Sequence, residues 1–391
     1  MNRPYEFSHI SDIHFGAISA DELYFELKEK YIEVIKKKEF LDCIFIAGDL
    51  FHRRIDVNSP HFKSFVLFLN DLFDVAKEKK AKVRIIKGTD SHDYNQLDYI
   101  RPMVSKYNVN CRLITTVEKE DLFEDVKVLY IPEECITNAK EYYQPYFEDT
   151  YDVIVAHGLI TETCFSAKTQ ESEITMSKAP ILDSKTLMSI CKGPILMGHI
   201  HSAMVIKEKI YYSGSFTRWK HGEENPKGFN RVIYTPDTGE YLVQFIENDY
   251  AKKYNTMVVD IKNDKDDVTT IVDNVSKVIE MVSNDNTEIK VKFNIPDSYD
   301  KPELLTKTLN EFFSKKEGIS IEILNNSKLK KKEEMDKKIE LILDKYDVVF
   351  QKGATPEEKV HHFIKVKFGK NIPVERIRNY FYNPITIGSE D

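Results

Sequence analysis

Six short and almost continuously apolar runs alternate with amphipathic segments over roughly the first 245 residues of this chain. The runs are YEFSHIS, LDCIFIA, KVRIIK, VKVLYIP, YDVIVAH and PILMGHI. A strand that is apolar on both faces must be covered on both faces, which is typical of a sheet layered with helices. Apolar residues recur at spacings of three and four in segments 21–38 and 61–80, which predicts helices there. The pattern therefore predicts a layered α/β domain.

We place the first domain at residues 1–250. It ends in three hairpin-like strands, KIYYSGSF, NRVIYT and EYLVQFI, and two smaller parts are predicted to follow it. Residues 251–326 hold three strand-like runs and two helices near 267–283 and 301–315, which predicts a small α/β domain. Residues 327–391 begin in a charged run and continue as helical segments rich in apolar and aromatic residues. We interpret this tail as a helical module that docks on a partner, and a bundle folded back on its own chain is the alternative.

Composition and cysteine usage limit the class of protein. The formal net charge of −8 argues against a wholly basic nucleic-acid binder, although it allows a local basic groove or a metal-neutralised site. Five scattered cysteines without any CxxC pair fit reduced, intracellular thiols. The sequence MNRPYEFSHISD has no apolar signal segment, and no run of about 18 apolar residues follows. We therefore expect a cytoplasmic protein with no membrane association.

Asp and His residues follow five of the predicted strands at the point where each strand ends. The ligands of open α/β sheets bind beyond the carboxyl ends of the strands, so these side chains should converge. Each motif alone is weak, since DxH also occurs in surface turns and a lone buried histidine is usually structural. The set consists of Asp12, His14, Asp49, His52, His92, Asp93, His157, His199 and His201.

The chemistry of these side chains points to a pair of metal ions. Imidazole and carboxylate without thiolate suit Mn, Fe or Zn better than Ca or Mg. The set is too large for one tetrahedral site and suits two metals about 4 Å apart, bridged by a carboxylate. Such a pair activates water and clamps a phosphoryl group, which predicts hydrolysis of a phosphate ester.

The motif order DxH, GDxxH, GNHD, H and GHxH resembles the calcineurin-like metallophosphoesterases and, more closely, the Mre11/SbcD nucleases. The closer resemblance rests on HISDIHFG, AGDLFH, MGHIH and YYSGSFTRWKHGEENPKGF, and it covers residues 5–245. It implies a metallophosphoesterase β-sandwich flanked by helices, a small α/β capping domain and a helical tail that binds a Rad50/SbcC-like ATPase. It also implies a homodimer within a heterotetramer, which processes DNA ends in recombination and repair.

The resemblance further implies two divalent metals, Mn²⁺ in the first place and Mg²⁺ as the alternative. Asp12, His14, Asp49 and His201 would hold one metal, Asp49 would bridge, and His157 with His199 would hold the second. His52 would lie near the scissile phosphate, and His92 would donate a proton to the leaving 3′-oxygen. Asp93 would orient His92. The implied activities are 3′-to-5′ exonuclease on duplex ends and endonuclease on single strands or hairpins.

One stretch departs from the family pattern. The family has GNHD, whereas this chain has GTDSHD, so the metal-ligating Asn is replaced and two residues are inserted. Alignment on His92 and Asp93 puts Ser91 in the place of Asn, and we expect its hydroxyl to be the ligand. The carboxylate of Asp90 is the alternative.

Basic residues near these motifs are candidate phosphate contacts, with solvated surface positions as the alternative. The candidates for DNA binding are Arg53, Arg54, Arg218 and Lys220, together with Lys227. Two other functions stay open beside the nuclease. One is a metallophosphoesterase for small or protein phosphates, and the other is a DNA-tethering subunit with reduced catalysis.

Overall fold

The computed structural model describes residues 3–166, 179–261, 268–282, 287–296, 302–313 and 318–325, and the single residues 299, 316, 361 and 373. The expected helical module at 327–391 therefore lies almost wholly outside the described residues. The described chain divides into two compact units, with the change between Met257 and Val258, and segments 278–290 and 318–320 group with the first. The expected boundaries at 250/251 and 326/327 stay predictions.

The described strands form three sheets. Their bounds are β1 Tyr5–Ile10, β2 Cys43–Ala47, β3 Lys82–Ile86, β4 Cys111–Ile114, β5 Glu118–Phe123, β6 Val126–Ile131, β7 Val153–His157, β8 Ile195–Gly198, β9 Met204–Ile206, β10 Ile210–Tyr212, β11 Gly228–Thr235, β12 Glu240–Glu247, β13 Lys253–Asp260, β14 Thr287–Ile295 and β15 Ile319–Asn325. The first sheet has the order β12-β11-β1-β2-β3-β4, and the second has the order β5-β6-β7-β8-β10-β9. All six predicted apolar runs are strands of these two sheets.

The described helices are α1 Ala20–Leu27, α2 Glu33–Lys36, α3 Pro60–Lys79, α4 Asp90–Asp93, α5 Arg101–Tyr107, α6 Ala139–Phe147, α7 Ser184–Ile190, α8 Val268–Val282 and α9 Pro302–Phe313. A π-helical turn at Lys28–Ile32 joins α1 to α2, and 3₁₀ turns lie at Gln96–Ile100 and Thr163–Phe165. Helix α3 begins where the Ser59 hydroxyl accepts the Phe62 N–H, with Pro60 at its first position. It ends at Lys80, which is left-handed.

The continuous apolar runs are explained by a core on each face of the strands. In β2, Ile44 and Ile46 join a cluster with the helix residues Leu23, Phe65 and Leu72. The alternate residues Cys43, Phe45 and Ala47 join a second cluster that also contains Val128, Val155 and Leu196 of the other sheet. A third cluster covers the opposite face of β7 with residues of α6 and α7, such as Tyr143 and Leu187. Burial on both faces is therefore the reason that these strands lack polar positions.

A three-stranded sheet, β13-β14-β15, follows in the chain. In β14, residues alternate between buried and half-buried from Thr287 to Ile295, so one face of this strand is covered. Helix α9 buries Leu305, Leu309 and Phe313, which are four residues apart and lie on one face of the helix. These elements were expected from the sequence. The structure confirms a mixed α/β fold, and none of its described helices is long and apolar enough to cross a bilayer.

Candidate metal centre

The loops that follow the strands of both sheets meet at one place. Strands β1, β2 and β3 are parallel, and so are β6, β7 and β8, so their carboxyl ends lie at one edge of each sheet. The loops after β1 and β2 are joined by bonds from Asp12 N to Gly48 O and from His14 N to Asp49 O, both 3.1 Å. The backbone N–H of His199, after β8, donates to both carboxylate oxygens of Asp12 at 3.1 Å. Both sheets therefore contribute side chains to a single site.

Four residues of this site have a backbone conformation that is rare for residues other than glycine. The φ angles are 51° at Asp12, 57° at His14, 51° at Asp49 and 97° at His199. A left-handed conformation costs of order 1–3 kcal/mol per residue and persists where surrounding contacts impose it. Such strain is concentrated at functional sites, so it supports the interpretation that these four residues belong to one.

The first potential metal group consists of Asp12, His14 and His201, whose ligand atoms lie within 4.8 Å of one another. His14 is fully buried, and neither of its ring nitrogens has a hydrogen-bond partner among the described residues. Burial lowers the pKa of His14 well below its usual value, so the ring is neutral and can act as a ligand. Buried nitrogens without partners are costly unless an ion or a water molecule occupies them.

The second group consists of Asp49, His157 and His199, all of which are buried. The Nδ1–H of His157 donates to the Ala47 carbonyl at 2.8 Å. This bond makes Nδ1 the donor to Ala47, and Nε2 lies on the other side of the ring, 3.5 Å from Asp49 Oδ1. Burial would lower the pKa of His157, but the Asp49 carboxylate raises it to about 10.

Asp49 lies between the two groups. Its Oδ2 is 3.8 Å from His14 Nε2 in the first group, whereas its Oδ1 is 3.5 Å from His157 Nε2 in the second. Burial would raise the pKa of Asp49, but these histidines hold it below its usual range, so the carboxylate is ionised. Each oxygen therefore faces a different group of ligands. The structure thus contains two buried Asp/His groups that could hold metal ions, and Asp49, a member of the second group, also lies beside His14 of the first.

The residue of the GTDSHD stretch that lies beside the second group is Thr89, whereas Ser91 was expected there. Ser91 is exposed and lies outside the second group, and Asp90 is exposed and pairs with Lys87. Thr89 is buried instead, and its hydroxyl lies 3.3 Å from Asp49 Oδ2 and 3.4 Å from His199 Nδ1. Asp90 and Ser91 form the first half of α4, and both are exposed. The structure thus places the Thr89 hydroxyl, not that of Ser91, beside Asp49 and His199, and a role for Ser91 as a ligand stays a prediction.

Glu133 is a member of the site that the sequence motifs did not indicate. It is buried after strand β6, and its Oε2 lies 3.1 Å from the Thr89 hydroxyl, 3.3 Å from His199 Nδ1 and 3.8 Å from His157 Nε2. Burial would raise its pKa, but His199 and His157 lower it, so this carboxylate is also ionised. The available signal was the position: IPEE ends an apolar strand, as do the other site motifs.

His52 and His92 lie beside the first group and are half-buried. The rings of His14 and His92 are 4.8 Å apart between centroids, and those of His52 and His92 are 5.5 Å apart. The Nδ1–H of His92 donates to the His52 carbonyl at 2.5 Å, so the Nε2 atom of His92 is left for another partner. Burial lowers the pKa of His52 to about 4, which keeps this ring neutral.

Asp93 has a different role from the expected one. Its carboxylate accepts the backbone N–H of Gly88 at 2.7 Å and that of Phe51 at 3.2 Å. It therefore joins the loops after β2 and β3, whereas the His52 carbonyl orients His92. Burial and the nearby Asp49 raise the pKa of Asp93 to about 7.

The candidate DNA-binding residues divide into two kinds. Arg53, Arg54 and Lys220 are exposed, as that role requires. Arg218 is buried, and its guanidinium donates to the carbonyls of Glu223, Ala251 and Asn225, so its role is structural. Lys227 is also buried, and its ammonium donates to the His201 carbonyl and the Ser215 hydroxyl.

Two residues of the WKHGEE segment support the first group, and the motifs did not single them out. The ring of Trp219, the single tryptophan, packs edge-on against His14 at 4.2 Å and His201 at 4.6 Å between centroids. A buried carboxylate oxygen of Glu223 lies 3.5 Å from His201 Nδ1. A carboxylate beside the distal nitrogen of a ligating histidine commonly fixes the orientation of the ring.

Comparison with known proteins does not show a family for this chain. No protein-family model and no curated protein matches this chain. One crystal structure is similar over 62% of this chain and 100% of its own, with 12% sequence identity and a TM-score of 0.38. This similarity is too low to identify a fold family or a function.

Proposed function

We propose that this protein is a two-metal-dependent phosphodiesterase of the Mre11/SbcD type that cleaves DNA. The observation that carries the proposal is the position of Asp49, which has one carboxylate oxygen near His14 of the first group and the other near His157 of the second. A shared carboxylate of this kind is the usual bridge between two cations about 4 Å apart. The motif resemblance of residues 5–245 supports the nuclease assignment and a metallophosphoesterase sandwich.

The residues present fit divalent cations. His14 has two buried nitrogens without hydrogen-bond partners in the described chain, and His157 places Nε2 among the atoms of the second group while its Nδ1–H donates to the Ala47 carbonyl. Asp12, His14, His201 and Asp49 would hold one ion, and Asp49, His157 and His199 the other. We propose Mn²⁺, with Mg²⁺ as the alternative, because imidazole and carboxylate ligands together favour Mn²⁺. When bound, the pair supplies Lewis acidity toward water and a phosphoryl oxygen.

The other side chains would position the substrate and move a proton. His92, held by the His52 carbonyl through Nδ1–H, would present Nε2 to the leaving oxygen as a general acid. Arg53 and Arg54 are exposed and directly follow His52 in the chain, and their guanidinium groups would contact DNA phosphates. Residues 327–391 would bind an SMC-type ATPase, and this part of the proposal rests on the resemblance alone.

The proposal is tested by Mn²⁺-dependent cleavage of end-labelled duplex DNA. We expect the wild type to degrade the DNA, chelator to stop it, and His92→Ala to lower the rate about 10²- to 10⁴-fold. His61→Ala, which changes a histidine at the start of α3, is the matched control and should behave as the wild type. Cleavage of a small aryl phosphodiester without cleavage of DNA would favour a phosphoesterase for small substrates. Absence of both activities, with a cognate ATPase and ATP present, would favour the tethering function.

A further inference from the structure

Glu133 forms a tight set of contacts with the second ligand group. The four atoms are Glu133 Oε2, the Thr89 hydroxyl oxygen, His157 Nε2 and His199 Nδ1. Five of the six distances between them lie between 3.1 and 3.8 Å. Ligand atoms about 2.1 Å from a cation are separated by about 3.0 Å in an octahedral site and about 3.4 Å in a tetrahedral site. The observed separations therefore match the edges of a coordination polyhedron.

The chemistry of Glu133 also fits a cation ligand. The carboxylate is buried, with 5% of the residue exposed, and the partners that the structure shows for it are a hydroxyl and two imidazoles. Within the described part of the chain, no lysine or arginine pairs with it. A buried ionised carboxylate is costly unless it is paired with a positive charge or coordinates a metal. A divalent ion among these atoms would provide that charge.

The neighbouring glutamate shows that this position is specific. Glu134 follows directly in the chain, but it is half-buried and accepts the Val117 N–H and the Tyr142 hydroxyl. Its role is to join the strand end to helix α6. Glu133 and Glu134 thus have the same side chain and adjacent positions, but only Glu133 is directed to the His157 and His199 nitrogens.

From these contacts we propose that Glu133 is a direct ligand of the second cation and that Thr89 contributes its hydroxyl beside it. The proposal rests on the proposed two-metal site and specifies it further. The second group then contains two carboxylates, a hydroxyl and two imidazoles. This oxygen-rich set favours Mn²⁺, whereas Asp49, His157 and His199 alone make a three-ligand set typical of Zn²⁺. Glu133 thereby determines which metal the second group prefers.

The alternative role for Glu133 is to orient His199 without touching the metal. The two roles differ in their effect on metal preference. Loss of an oxygen ligand weakens Mn²⁺ more than Zn²⁺, since Zn²⁺ retains the three-ligand set. Loss of an orienting contact to His199 weakens both ions by the same factor, because both need that imidazole.

The test is to measure Mn²⁺ and Zn²⁺ binding to the full chain without DNA, for the wild type, Glu133→Gln and Glu134→Gln. We expect two Mn²⁺ ions per wild-type chain, with a spin-coupled pair in the electron paramagnetic resonance spectrum. In Glu133→Gln, one Mn²⁺ should remain tightly bound, the other should bind at least tenfold more weakly, and the coupled signal should disappear. Zn²⁺ affinity should change much less, and Glu134→Gln should match the wild type.

Three results would overturn the assignment. Unchanged Mn²⁺ affinity in Glu133→Gln would show that the carboxylate is not a ligand, and equal losses for Mn²⁺ and Zn²⁺ would leave it an orienting residue. In both cases the proposed nuclease would stand, because the wild type still binds two ions. Fewer than two ions in the wild type would overturn both proposals together. Circular dichroism of each variant establishes that the isosteric change leaves the protein folded.

Discussion

The carboxylate of Asp93 accepts the backbone N–H of Gly88, with 2.7 Å between N and Oδ2, and its other oxygen accepts the N–H of Phe51. Asp93→Ala would leave two buried N–H groups without an acceptor, each costing about 1–3 kcal/mol. We expect the free energy of unfolding to fall by about 2–4 kcal/mol in a denaturant titration. Asp93→Asn keeps one acceptor oxygen and should lose less. Equal stability of Asp93→Ala and the wild type would contradict this structural role.

The single tryptophan offers a direct report on the first ligand group. The Trp219 ring is 4.2 Å from the His14 ring and 4.6 Å from the His201 ring between centroids. Paramagnetic Mn²⁺ bound by these histidines should therefore quench the fluorescence of Trp219. The titration should saturate in the wild type and in His61→Ala, and it should be lost in His14→Ala. A full response in His14→Ala would place the quenching ion elsewhere.

We predict that Gly48 cannot be replaced, because its backbone is left-handed and there is no space for a side chain. Its φ is +84°, and an added Cβ would lie 2.6 Å from His157 Cγ and 2.8 Å from Gly88 Cα. Gly239 has a φ of +72°, but a Cβ there would have no described atom within 4 Å. Gly239→Ala should cost about 1 kcal/mol, which is the strain of the left-handed backbone alone.

Gly48→Ala should destabilise the protein by several kcal/mol more, since neither the backbone nor the buried imidazole can yield easily. It should also weaken metal binding, because His157 would be displaced. Thermal or chemical unfolding of the two variants side by side checks the difference. Similar losses for both would mean that the crowding at Gly48 is relieved without displacing His157.

Glu26 gives a prediction for the pH dependence of stability. Burial raises the pKa of this helix α1 residue from 4.5 to about 7, although Asn248 donates to its carboxylate at 2.7 Å. The folded protein thus retains a proton that the unfolded chain releases, so stability should fall as pH rises from about 4.5 through about 7. Glu26→Gln removes this titration.

We expect Glu26→Gln to unfold at higher denaturant than the wild type at about pH 8, with a gain of up to about 3 kcal/mol. At about pH 5 the two proteins should differ little, because the wild-type side chain is then mostly protonated in the folded state. Asp21→Asn, an exposed change in the same helix, is the control and should show no such divergence. A constant difference across this range would contradict the assignment to Glu26.

Strand periodicity and the residues at strand ends were enough to predict much of this molecule. The six apolar runs are strands, and Asp12, His14, Asp49, His157, His199 and His201 are brought together, because parallel strands end at one edge. Ser91, Asp93 and Arg218 were assigned by motif position, and their roles depend on tertiary contacts. Neither the helical turn at Asp90–Asp93 nor the bonds from the Arg218 guanidinium to backbone carbonyls can be predicted from the spacing of apolar residues.

The bond from His199 N to the Asp12 carboxylate joins residues that are 187 positions apart in the chain. A contact between residues so far apart in the chain forms only after the intervening strands have been ordered, so the ligand set is completed late. During synthesis, the aspartates and histidines that precede strand β8 in the chain would therefore lack their partners until β8 has left the ribosome. A divalent cation would then bind only to chains in which folding of both sheets is complete, and its binding would stabilise this folded state.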